Sequence, residues 1–164
     1  MPPTQRQEVE AILSGARAER AALLEQLSEP MRASLPVDAT GIAQAIEHLA
    51  ALAGVADELA AEQARGHQAN AAVLHGRVFG RAPLTPDTVL AAFADGARVR
   101  AAVLAQLAEA IGGRALREEI VADLDVAPAP TELEAAGALA ALHAAYAAQE
   151  HAVVRLATAL DDER

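Results

Sequence analysis

Residues 131–160, TELEAAGALAALHAAYAAQEHAVVRLATAL, decide how this chain is read. The stretch is rich in alanine and leucine, both strong helix formers, and no proline interrupts it. Thr131 and Glu134 stand three residues apart ahead of the apolar run, the spacing of a capping box that opens a long helix. His143 and His151 ride on this helix, with Ala147 midway between them. Histidines four residues apart share one helix face and chelate one ion together. At eight residues they are about 12 Å apart along the axis and about 80° around it. Metal–nitrogen bonds of about 2.1 Å do not span that gap. The helix therefore reads as a histidine site whose central position holds alanine.

Working back toward the N-terminus, three more long helices are expected. Thr4 and Gln7 form a capping box, and Val9, Ile12, Leu13, Ala16, Leu23, Leu24 and Leu27 follow at helical spacing. Arg20 lies near that stripe and reads as a long side chain snorkelling from its edge. Ser28-Glu29-Pro30 ends this helix. Asp38 or Thr40 caps the second, whose apolar line runs through Ile42, Ile46, Leu49, Ala53, Ala56 and Ala60 to a C-cap at Gly66. His48 falls on the border of its buried stripe. Residues 67–84 form the least regular region, either a plain connection or a substrate-facing loop. Thr85-Pro86-Asp87 opens the third helix, and Leu90, Phe93, Ala97, Leu104, Leu107 and Ile111 carry its apolar face to Gly112-Gly113. A helical turn and a proline-forced extended passage lead to the final helix.

Composition agrees with an all-α chain of one domain, 1–164. Hydrophobic residues make up 53% of it and aromatic residues only 2%. A core built this way needs closely spaced helices filled by Leu, Ile, Val and Ala. The simplest architecture that buries four stripes is a four-helix bundle with longer crossover connections. The net charge is −10, and all 13 basic residues are arginines without a cluster among them. That balance argues against nucleic acid or an anionic membrane as partner. The absence of cysteine removes disulfides and thiolate chemistry. No apolar signal region or membrane-length run is present, so a cytoplasmic protein is expected. The chain has no phosphate-binding glycine loop, no H-E-x-x-H and no nucleophile elbow.

AIEHLAALAGVADELAAE, NAAVLHGRVFGRAPLTPDTVLAAFADGARVRAAVLAQL and LHAAYAAQEHAVVRL together resemble the DinB-like superfamily. That group includes YfiT-like putative hydrolases, the ClbS/DfsB proteins and the N-terminal domains of mycothiol-dependent maleylpyruvate isomerases. The resemblance covers nearly the whole chain through helix pattern and short motifs. It implies a DinB/YfiT-like bundle with a divalent metal, zinc or nickel, on one histidine of the second helix and an H-x-x-x-H pair of the last. His48 matches the first position. His143 matches the next with Ala147 in the third place, or His151 is the later member and Ala147 the earlier. Tyr146, Glu150, His67 and His75 are the nearest substitutes for the absent ligand.

Three functions follow as expectations. One is a metal-dependent hydrolase or thiol-dependent transferase with His48 and His143 as ligands and His151 as the alternative. The second is a non-catalytic small-molecule-binding or stress-response bundle that has lost the metal. The third, compatible with both, is a homodimer packed through leftover apolar stripe.

Overall fold

The computed structural model describes residues 2–26, 39–74, 86–125 and 135–163. Among these the chain is all-helical, with five helices and no strand: α1 (Gln5–Leu24), α2 (Ala39–Ala53), α3 (Ala56–Leu74), α4 (Pro86–Leu124) and α5 (Ala135–Asp162). The predicted cap at Thr131 lies outside the described residues, as do residues 75–84 of the irregular region expected at 67–84; residues 67–74 of that region are helical and belong to α3.

The start of α1 forms as its sequence dictates. The Thr4 backbone N–H donates to Gln7 Oε1 at 2.9 Å, and the Gln7 N–H donates to Thr4 Oγ1 at 3.2 Å. This reciprocal box satisfies two of the helix's orphan donors. A third element completes the end: Asp161 of α5 accepts from the N–H groups of Gln5 at 2.8 Å and Arg6 at 3.2 Å. Farther along, Arg17 of α1 donates to Glu150 of α5 at 2.6 Å. The pairs 5–161 and 17–150 fix α1 and α5 as antiparallel neighbours.

The single second helix expected through Gly66 is instead two. Gly54 takes φ +77°, a value that strains any residue with a Cβ. The Val55 N–H then bonds Ala50 O at 2.9 Å and the Gly54 N–H bonds Ala51 O at 3.2 Å. These are the paired bonds of a Schellman cap, which ends α2 twelve residues before the expected stop. Gly66 lies inside α3, and Thr40 inside α2. Gln63 of α3 reaches back to Ala43 O at 2.6 Å, holding the two helices together in the interior.

The third helix breaks at Gly112-Gly113, as expected. Gly113 adopts φ 79°, ψ −166°, a non-helical conformation open in practice only to glycine, and beyond this kink α4 runs on as a second helical stretch to Leu124, where only a helical turn was expected. The second stretch is held by a buried Ile120 and by Arg155 of α5, which pairs with Asp123 and with Glu119 at 2.8 Å.

One hydrophobic cluster joins all five helices. Val9 and Leu13 of α1, Ile42, Ile46 and Leu49 of α2, Leu59 of α3, Phe93, Leu104 and Leu107 of α4, and Leu142, Val153 and Leu156 of α5 belong to it. Packing partners divide at Gly54: α2 contacts α1, α4 and α5, whereas α3 packs mainly on α4. At about 25 cal/mol per Å² of apolar surface removed from water, each large side chain in this cluster contributes about 2 kcal/mol against chain entropy.

Candidate functional site

The three histidines named from the sequence are set on different parts of the framework. His48 of α2 is half-buried, and its Nε2 lies 2.9 Å from Glu8 Oε2 in the first turn of α1. His143 of α5 is also half-buried, beside Arg20 near the far end of α1. Burial holds His143 below the ordinary histidine value of 6.5, and the Arg20 cation lowers it further. Glu8 and Arg20 are twelve residues apart on one helix, or about 18 Å along its axis. His48 and His143 therefore do not converge. His151 is exposed, on the same uninterrupted α5 as His143.

Position 147 also differs from the expected ligand slot. Leu142, Tyr146, Gln149, Val153 and Leu156 face the core, while Ala147 is exposed. A histidine there would project outward. Glu150, one of the substitute ligands, is engaged by Arg17. Among the described residues, no group of three or more His, Cys, Asp or Glu side chains is placed to hold one ion. The side chains of His67 and His75 lie outside the described residues. As arranged, His48, His143 and His151 do not fit the three-histidine site that the resemblance implies.

The polar feature of the interior lies elsewhere. Arg100 of α4 is 1% exposed, the largest fully buried side chain among the described residues. Its Nε donates to Gln149 Oε1 at 3.1 Å, and Gln149 Nε2 donates to Ala97 O at 2.9 Å. The guanidinium carbon stands 4.7 Å from the centre of the Tyr146 ring, a cation–π contact in a dry site. Tyr146 packs edge-on to Phe93 at 6.2 Å between centroids, and its hydroxyl donates to Phe93 O at 3.4 Å. Burial pushes the Tyr146 phenol up to about 12, with Arg100 pulling in the opposite direction.

Sequence reasoning passed over Arg100 and Gln149, although a signal existed. Phe93, Ala97, Leu104, Leu107 and Ile111 alternate steps of four and three, except for one step of seven, and Arg100 occupies the skipped place. Leu142, Tyr146, Val153 and Leu156 show the same interruption, filled by Gln149. Each seam thus carries one polar residue, and the two meet. A polar residue at a core position of a helix pair sets register at a cost in stability.

A concave surface also lies beside the bend in α4, around Glu109, Arg114, Arg117, Glu118 and Asp125. Its charges pair locally, Arg117 with Glu109 and Arg114 with Glu118, so it presents no concentrated field.

Comparison with protein-family models, with curated proteins and with solved structures finds no match.

Proposed function

We propose that this chain is a DinB-like helical bundle that binds a small molecule in its interior, without metal-dependent catalysis. What carries the reading is the Arg100–Gln149–Tyr146 layer, which holds the one buried charged side chain among the described residues. Interior sites of helical bundles are built from such side chains on facing helices, with a few placed polar groups in an apolar lining. In this reading α2 and α3 together stand for one broken helix of a four-helix arrangement. The hydrolase or transferase reading needs three metal donors at one point, whereas His48 is held by Glu8 in the first turn of α1 and His143 lies within the influence of Arg20, twelve residues farther along that helix.

Native mass spectrometry and thermal shift on untagged protein test this function. A panel of neutral, cationic and anionic small molecules is expected to contain ligands that raise the melting temperature. Stoichiometric zinc or nickel on the purified protein, with stability lost on chelation, would instead favour the metalloenzyme. A panel without any binder would remove the binding function.

A further inference from the structure

Both terminal nitrogens of Arg100, Nη1 and Nη2, are buried without a hydrogen-bond acceptor among the described residues. A guanidinium does not escape burial by giving up its proton, as a lysine or carboxylate does. Leaving its N–H groups unmet in a core is correspondingly costly. The neighbouring carboxylate, Glu150, is turned to Arg17 on α1. Gln149 supplies one neutral acceptor, on Nε only.

This arrangement specifies what would complete it. Nε is occupied and the Tyr146 ring covers one face, so an acceptor for Nη1 and Nη2 approaches edge-on, in the guanidinium plane. Two parallel N–H donors on that edge match the two oxygens of a carboxylate. One buried cation is balanced by one negative charge, whereas a phosphate dianion would leave an excess charge in the core. Phe93 and Ala97, on the turns beside Arg100, favour an apolar body over a polar one. We infer that Arg100 is the recognition residue of an interior site for a small monocarboxylate with an aliphatic body. The inference deepens the small-molecule-binding function above and rests on it.

The full chain provides its own reporter, because Tyr146 is its sole tyrosine and it has no tryptophan. Protein is titrated with sodium propionate, butyrate and hexanoate at constant ionic strength, with sodium chloride as reference. Butyramide and hexanamide serve as neutral controls and inorganic phosphate as the dianionic arm. The carboxylates are expected to raise the melting temperature by several degrees near saturation and to give a tyrosine difference band. The amides should do neither, and phosphate should bind at least about tenfold more weakly. Arg100→Met should abolish both signals, and Arg100→Lys should weaken binding about tenfold or more through loss of the bidentate edge.

Gln149→Glu is a second variant that does not depend on Arg100→Met folding. It supplies a carboxylate inside the protein and should suppress binding from solution. Carboxylate responses that survive equally in Arg100→Met or in Gln149→Glu would overturn the assignment. So would a flat tyrosine spectrum and an unmoved melting temperature in wild type. Neutral or cationic ligands that bind wild type and Arg100→Met alike would overturn the Arg100 site while leaving the small-molecule-binding function standing.

Discussion

Arg100 and Gln149 meet at 3.1 Å across the contact of α4 and α5, each the one polar member of an apolar seam. Their bond brings a charge into the core and gives it a single neutral acceptor. The energetics of that layer are open to direct measurement.

Gln149→Leu removes the acceptor and leaves the guanidinium buried. It is expected to cost about 3 kcal/mol in urea unfolding, the range for stripping one partner from a buried charge. Arg100→Met removes the charge and keeps an unbranched side chain of similar reach. It should be neutral or stabilising by about 1–3 kcal/mol. Adding Arg100→Met to Gln149→Leu should then recover most of the loss. Additive effects in that cycle would show that the two residues do not act together.

The phenol of Tyr146 titrates at about 12 instead of 10, mainly through burial. Absorbance at alkaline pH reads this group alone, since the chain has one tyrosine. A folded value above the unfolded one contributes stability that is complete below pH 10 and lost as pH rises through about 12. Arg100→Met should move the midpoint still higher, because the guanidinium opposes the burial effect. A midpoint near 10 in the folded protein would contradict this burial.

His143 shifts the other way, below 6.5. A depressed folded value means that the unfolded chain binds the proton more tightly. Stability from this group is therefore complete above 6.5 and declines as pH falls through the folded value. Imidazole resonances followed by NMR should show a midpoint under 6.5. Arg20→Gln should raise it part of the way back, leaving the larger burial contribution in place. His143→Gln should flatten stability against pH in that window.

Ala147→His places a histidine four residues from both His143 and His151, on the outer side of α5. Pairs at this spacing chelate zinc or nickel. The variant should gain metal affinity by calorimetry, and His48→Ala added to it should change that affinity less than about twofold, because His48 is tied to Glu8. A tenfold loss on removing His48 would place it beside position 147 after all.

Gly113→Ala should destabilise by about 2–3 kcal/mol, because φ 79°, ψ −166° lies in a region reserved for glycine. Gly54→Ala should cost about 1–2 kcal/mol, the ordinary charge for a left-handed residue with a Cβ. Urea unfolding of the two variants should rank them in that order.

The helical class was legible because periodicity and capping are local. Thr4 and Gln7 make the box their spacing announces, and the Ile42–Leu49 and Leu104–Ile111 faces are buried as expected. The break expected at Gly112-Gly113 is present, but the one expected at Gly66 falls at Gly54, for a physical reason. A glycine in a helical pattern is compatible with continuation, a cap or a bend, and tertiary packing selects among them. Gly54 ends a helix, Gly66 does not, and Gly113 redirects one. The histidine arrangement was less legible still. One helix specifies which residues share its face, but the level at which His48 meets α1 is set by packing between helices. The buried layer was readable in principle, since Arg100 and Gln149 fill the skipped places in two seams.

The grip of Asp161 on the first turn of α1 spans 156 positions of sequence. Contacts of that separation are the slowest to form, because the ends of a long chain segment must find each other. During synthesis, α1 leaves the ribosome well before its acidic cap exists. The first helix must therefore wait, with its apolar stripe unburied by α5, until nearly the last of these residues has been translated.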